Sequence, residues 1–296
     1  MAKARINKIL KRYNLDEDIS IKKFEEGINA TSFCVSTKNK NYVLKILADS
    51  EKPKDILLRI DFINYLCKNK FSTNKVIKNK NKEFITRDNG RMFLLISYVD
   101  GDTIPWEKIA ITTAKELAIF VSKLYKLSLK YHNKNNISTT LDAEHLAGLS
   151  NAMKKNVDFN NIRKSIIHSD ISRENILVNG KRIKSIIDFD DLQTNYLIWD
   201  YATLITQVFV TRTYGIDWEA LNSFHDEFSK NFKWNTDELS IIIPLMIHRN
   251  KLIYNEFSKK YPQSKKVQSI MNSVKHKTKL IKDDTGRLSD IFSPLR

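Results

Sequence analysis

The chain has 296 residues, 42% hydrophobic and 28% charged, a composition that excludes a disordered segment and allows one large domain or two lobes. It carries 50 Lys and Arg against 34 Asp and Glu, a net charge of +16. The cations are spread along the whole chain, so a solvated basic surface explains the balance as well as a polyanionic partner does. The apolar run IIIPLMI is far short of the roughly 20 residues of a membrane span, which argues against a membrane partner.

The opening segment, MAKARINKILKRYN, is charged throughout and lacks the apolar core of a signal peptide, so the expected location is the cytoplasm. Only Cys34 and Cys67 are present, with neither a disulfide framework nor metal-site spacing, as two buried free thiols would be.

SFCVST and NYVLKIL read as strands joined by the turn-forming KNKN. Alternation in the second puts Tyr42, Leu44 and Ile46 on one face and Val43, Lys45 and Leu47 on the other. Lys45 is thereby a cation among apolar neighbours. Pro53 suits the first turn of a helix with an apolar stripe at Ile56, Leu57, Ile60, Ile63 and Cys67. RMFLLISYV, residues 91–99, is a further strand ending in a turn around Gly101.

Helical spacing then takes over. Leu117, Phe120, Val121, Leu124 and Leu127 repeat within residues 115–129, and Leu221, Phe224, Phe228 and Phe232 within 219–232. A third striped segment, residues 237–257, is expected to be kinked or interrupted at Pro244. The expected fold is α+β, with a small antiparallel-sheet lobe over residues 1–99 and a larger, mainly helical lobe over 100–296.

The seven glycines form neither GxGxxG nor GxxxxGK[ST], which excludes a dinucleotide-binding turn and a P-loop. One strand-like stretch interrupts the helical part: IIHSDISRENILVNGKRIKSIIDFDD, residues 166–191. Asn179-Gly180 reads as a two-residue hairpin turn with both residues at positive φ. Pairing about that turn sets Asp188 opposite Ile171, so Asp170, Asn175 and Asp188 converge. Singly, such residues often cap turns. Together they are the oxygen ligands of a hard divalent cation plus a carboxylate able to receive a proton from a hydroxyl.

HSDISRENIL followed by IIDFDD resembles the catalytic loop and metal motif of the aminoglycoside phosphotransferase and choline kinase superfamily, small-molecule kinases with a protein-kinase-like two-lobe fold. EGINATSFCVST with YVLKI is similar to that family's nucleotide-covering hairpin and strand lysine, FLLISYVDGD to its hinge, and WDYATLI to the helix after the metal motif. The resemblance implies ATP or GTP with Mg²⁺ as cofactors and a small-molecule hydroxyl as acceptor. Asp170 would be the base, and Asn175 and Asp188 would hold metal. Lys45, with the loop residues Gly27, Asn29 and Ser32, would meet the phosphates, and backbone near Ile96 and Tyr98 the adenine edge.

By the same resemblance His168 packs the loop and Asp200 braces it. Arg173, Asp190 and Trp199 are candidate substrate residues, Arg173 either neutralising transferred phosphate or pairing with Glu174. Asp191, Asp217 and Trp218 are candidate pocket residues. The helix after Lys45 offers only Asp55 and Asp61 where the family places a glutamate, with Arg59 near the expected spot. KRYNLDEDISIKKFEEGINATSFCVST looks most like bacterial homoserine kinases and choline kinases, and WNTDELSIIIPLMIHRN resembles the homoserine kinase branch. The acceptor thus stays open among an amino acid such as homoserine, a choline-like alcohol and an aminoglycoside. A Ser/Thr protein kinase of the same fold and a non-catalytic nucleotide or nucleic-acid binder are the other readings. The lack of aromatics interleaved with a basic cluster argues against nucleic acid.

Overall fold

The computed structural model describes residues 3–16, 18–24, 31–131, 157–260 and 264–293. The chain divides into two compact units, Met1–Asp100 and Gly101–Arg296.

The first unit is built on an antiparallel sheet. Its strands are β1 (Ser20–Lys23), β2 (Thr31–Ser36), β3 (Asn41–Ile46), β4 (Val76–Ile77), β5 (Thr86–Asp88) and β6 (Arg91–Ser97), in the order β1-β2-β3-β6-β4 with β5 also on β6. Two helices accompany them, α1 (Lys3–Leu10) and α2 (Pro53–Lys68). Helical spacing puts Ile6, Ile9, Leu10 and Tyr13 on one side, where they join Val35, Leu44, Phe93 and Leu95 in a core cluster. Each such side chain contributes roughly 1.5–3 kcal/mol when fully buried. The cations of the same segment gather on Asp88, reached by Arg5 at 3.0 Å and by Lys8 and Arg12 at 3.4 Å. Pro53 starts α2, but its buried face is Ile56, Arg59, Ile60, Phe62, Ile63 and Leu66. The expected stripe is therefore corrected at Leu57, which is 52% exposed.

The second unit contains β7 (Asp102–Thr103), α3 (Ile111–Lys130), β8 (Lys164–Ile167), β9 (Ile176–Asn179), β10 (Arg182–Ile186) and β11 (Gln193–Tyr196). There follow α4 (Leu197–Leu204), a π-turn (Ile205–Phe209), β12 (Val210–Thr211), β13 (Gly215–Ile216), α5 (Trp218–Asn231), α6 (Thr236–Ser240), α7 (Ile242–Lys260), α8 (Lys265–Asp283) and α9 (Thr285–Ile291). Tyr125 of α3, Tyr201 of α4 and Phe224 and Phe228 of α5 pack as an aromatic centre with Phe232 and Trp234, ring centroids 4.8–5.9 Å apart in the closest pairs. The helix break falls at Ile241, ahead of Pro244, which sits in the first turn of α7 where a missing N–H is tolerated. The basic C-terminal segment is helical as α8 and α9 and buries Val267, Val274, Lys277, Ile281, Leu288 and Ile291. Among the described residues, no helix is long and apolar enough to cross a membrane.

The β9–β10 hairpin forms with a corrected turn. Asn179 pairs with Arg182, so the turn residues are Gly180 and Lys181. Gly180 takes φ +59, while Asn179 is not among the positive-φ residues. That is a turn with glycine at its first central position, which suits the strand twist and asks no positive φ of the asparagine. A register shift between Ile183 and Ser185 then brings Ile186 opposite Ile176.

Candidate active site

The loop between β8 and β9 holds the catalytic candidates. β8 pairs antiparallel with β11, Ile167 facing Gln193, and the chain leaves β8 through His168, Ser169 and Asp170. Ser169 adopts φ +71, a left-handed conformation that strains a non-glycine residue by about 1–3 kcal/mol. Its surroundings hold it there. Its N–H donates to Asp200 Oδ1 at 2.7 Å, and its hydroxyl accepts from Gln193 Nε2 at 2.7 Å. The His168 N–H reaches Asp200 Oδ2 at 3.3 Å.

Asp200 is fully buried in α4, and burial pushes its pKa up to about 6 against the opposing pull of His168 and of the two amides. The His168 ring lies 4.4 Å from Phe189 and is also buried. Its Nδ1 accepts from the Asp170 N–H at 3.3 Å, which makes Nε2 the donor to Ile187 O at 3.0 Å.

Asp170 and Asn175 meet directly. Asn175 Nδ2 donates to Asp170 O at 2.9 Å and to Oδ2 at 3.0 Å, which leaves the amide oxygen of Asn175 as the atom that could serve a cation. The Asn175 carbonyl takes the Ile187 N–H at 2.9 Å, tying the loop to the strand that delivers Asp188. Asp188 is itself left-handed, φ +67. Around it the acids crowd. The Asp191 carboxyl is pushed up first by partial desolvation and then by the charges of Asp170, Asp190 and Asp188, although the residue as a whole is exposed.

A cation not read from the sequence completes the group. Arg249 of α7 is buried and puts one guanidinium nitrogen 3.6 Å from Asp170 Oδ1. Leu245, Met246 and Arg249 share one helical face, so a charge within an apolar stripe was the signal that could have found it.

The remaining expected residues are distributed as follows. Trp199 is buried in α4, its ring 6.2 Å from His248 of α7. Asp217 caps α5, accepting from Ala220 N, and Trp218 lies under the Arg287 guanidinium at 4.0 Å. Both serve the packing of α5. Arg173 is corrected as a substrate residue. It is wholly buried, its Nε donating to Val208 O at 2.8 Å and one terminal nitrogen to Tyr214 Oη at 2.8 Å. The other terminal nitrogen donates to Glu107 O at 2.7 Å and to Pro105 O. A guanidinium with its fork filled by protein oxygens has no edge left for phosphate.

In the first unit, Lys45 is buried on β3, paired in register with Ser32 of β2 and Leu94 of β6. Ile96 lies between Val43 and Val76 inside the sheet. The Tyr98 N–H donates to Asn41 O at 3.2 Å. Arg59 occupies the α2 position expected of an acid and pairs with Glu51 at 2.8 Å. Gly27 and Asn29 lie outside the described residues.

The Phosphotransferase enzyme family model matches residues 118–221, the stretch that contains this loop, hairpin and α4. Over those residues the chain is similar to that family. A homoserine kinase of Zymomonas mobilis subsp. mobilis is 22% identical over 204 residues, 62% of this chain and 63% of that protein. The chain thus spans less than two thirds of that relative's length. The fold is α+β and protein-kinase-like. A microcompartment-associated aminopropanol kinase superposes with a TM-score of 0.74 at 14% identity, covering 97% of this chain and 98% of the other. An amicoumacin kinase in complex with AMP-PNP, Ca²⁺ and Ami superposes at 0.73 and 15% identity, covering 95% and 93%.

Proposed function

We propose that the chain transfers the γ-phosphoryl group of ATP to a hydroxyl of a small molecule, with Mg²⁺. One observation carries the reading: Asp170, partly exposed, is oriented by both its own loop and Asn175, beside an acidic group that includes Asp188. Such an aspartate can align an acceptor hydroxyl and receive its proton as the phosphoryl group departs from the nucleotide.

The donor set fits a hard divalent cation. Among the described residues no group of three or more His, Cys, Asp and Glu is gathered as metal ligands. Asn175 and Asp188 instead offer one carboxamide and one carboxylate oxygen, leaving most positions to phosphate oxygens and water, as Mg²⁺ prefers. When bound, the ion would neutralise charge on the nucleotide phosphates.

The chain's own residues do the rest. Asp200 and Gln193 hold Ser169 in its strained turn, which aims Asp170. His168 links the Asp170 amide to the strand before Asp188. Lys45, Ser32, Gly27 and Asn29 would meet the phosphates, and backbone around Ile96 and Tyr98 would take the base. Residues 1–99 are assigned to nucleotide binding and 100–296 to the catalytic loop and acceptor.

The test is Mg²⁺-dependent phosphate transfer from ATP, and in parallel GTP, to amino acids, choline-like alcohols and aminoglycosides. Turnover of one acceptor class that disappears in Asp170→Asn supports the reading. Failure of Mg²⁺–nucleotide to bind sinks it.

A further inference from the structure

Arg249 is a buried cation that the phosphoryl-transfer chemistry above does not use. Its side chain is 7% exposed, against 38% for the Asp170 it faces. Their contact, 3.6 Å, is longer than the roughly 2.7–2.9 Å of a charge-assisted hydrogen bond. The other terminal nitrogen, Nη1, is buried without a hydrogen-bond partner. A buried guanidinium left in this state is costly, and nature usually fills such a fork with a carboxylate or phosphate. Burial lowers the Arg249 pKa, while the charges of Asp170, Asp191 and Asp200 raise it, so the group is held charged by acids of which only Asp170 makes a contact. Lys277 of α8 is also buried, and the charge of Arg249 adds to the burial that lowers its pKa.

We propose that Arg249 is an anion-recognition residue of the acceptor site, so that the acceptor carries a carboxylate a few bonds from the hydroxyl presented to Asp170. The inference rests on the kinase reading above and narrows its acceptor to hydroxy acids and hydroxy amino acids. One edge of the planar fork faces the base, and the unpartnered edge receives the acid group. A hydroxyl bound through its carboxylate is thereby fixed in distance from Asp170. An acceptor bearing only amines would instead bring like charge against a buried guanidinium.

The experiment uses acceptor pairs that differ only in the carboxylate: L-homoserine with 3-aminopropan-1-ol, and L-serine with 2-aminoethanol. kcat/KM is measured with Mg²⁺–ATP for the full chain and for Arg249→Gln and Arg249→Lys. The expected wild-type preference for the acid member of the productive pair is roughly 10- to 100-fold, expressed in KM, as a charged hydrogen bond supplies. Arg249→Gln erases that ratio and Arg249→Lys retains part of it. Because the readout is a ratio within one variant, a general loss of rate or of folded protein cancels.

Equal or better use of the amine-only member, or a preference that survives Arg249→Gln, overturns the proposal. Where no member turns over, calorimetric titration of the acid members in the presence of Mg²⁺ and a non-hydrolysable ATP analogue decides, and absence of binding again overturns it. The kinase reading itself fails on different results, namely no nucleotide binding or transfer that persists in Asp170→Asn.

Discussion

Asp200 accepts the Ser169 N–H at 2.7 Å from a backbone held at φ +71. The strain of the loop between β8 and β9 is thus balanced by a carboxylate that burial discourages from ionising, with a pKa of about 6. Both amide donations favour the ionised form, so loop geometry and protonation are linked. The ordinary value is 3.8 and the folded value about 6, so the folded state binds the extra proton between them. This group's contribution to stability therefore falls as pH rises through that window, by roughly 3 kcal/mol in total, and is flat above it. Activity follows the opposite course, because the amides lose a charged acceptor below pH 6. Asp200→Asn should lower kcat about 10- to 100-fold, since one of the two amides then faces an NH₂ group. Its kcat profile should lose the acid limb near pH 6. A variant that keeps that limb at the wild-type position would remove Asp200 from the explanation.

Asp170 supplies the second prediction. Replacing it by Asn keeps the shape and a hydrogen-bonding oxygen but removes the proton acceptor and the partner of Arg249. We expect kcat to fall by about 10²–10⁴ while the affinity for Mg²⁺–nucleotide changes little. Asn175→Ala should do the reverse in part, weakening metal-dependent nucleotide binding together with the rate. Equilibrium binding of a fluorescent ATP analogue at several Mg²⁺ concentrations separates the two.

Arg173 makes a structural prediction. Its guanidinium joins the loop to three backbone carbonyls, of Val208, Pro105 and Glu107, and to the Tyr214 hydroxyl. Arg173→Met would leave those acceptors dry and should cost about 3–5 kcal/mol. Arg173→Lys should recover little, because an ammonium lacks the planar fork. Urea unfolding midpoints measure both, and a midpoint shift under 1 kcal/mol for Arg173→Met would contradict the brace.

These residues were not equally legible in the sequence. Asp170 and Asn175 stand five apart in one loop, and the strand character on either side is local, so their meeting could be read directly. Asp188 needed the turn. Asn179-Gly180 promised a hairpin correctly, but the glycine alone takes the positive φ, and the turn moves by one residue. Burial of Arg173 could not be read, because local sequence does not tell which carbonyls a long side chain will find, whereas Arg249 left one signal, a charge within an apolar stripe. The helix at Lys3–Leu10 was hidden for another reason: five cations among the first 12 residues mask the spacing of Ile6, Ile9 and Tyr13, and only the facing sheet shows which side is apolar. The stripe of α2 misled at Leu57 because Arg59 and Phe62, not Leu57, complete its buried face.

Lys277 gives the last prediction. Its ammonium reaches across from α8 to Thr206 O at 3.0 Å and Gln207 Oε1 at 3.1 Å, both in the π-turn that follows α4. A π-turn releases carbonyls from the regular helical ladder, and here two buried cations take them: Lys277 at Thr206 and Arg173 at Val208. Burial, then the neighbouring Arg249, pull the Lys277 pKa from 10.5 down to about 7, with Glu174 opposing and Arg173 and Arg212 adding to the fall. The unfolded chain keeps its proton up to about pH 10.5, so between the two values it binds more protons than the folded chain. Stability due to this group therefore rises with pH from about 7 to 10.5, and below 7 the buried charge carries its full cost. Lys277→Met removes the titration but leaves Thr206 O without its donor. The difference in unfolding free energy, wild type minus Lys277→Met, should thus grow in favour of wild type as pH is raised from 6.5 to 9.5, by at most about 1.4 kcal/mol per pH unit. Chemical denaturation of both proteins at three pH values across that range tests the sign. A difference that stays level, or that shrinks with pH, would mean that Lys277 keeps its proton in the fold and acts only as a fixed donor to the π-turn.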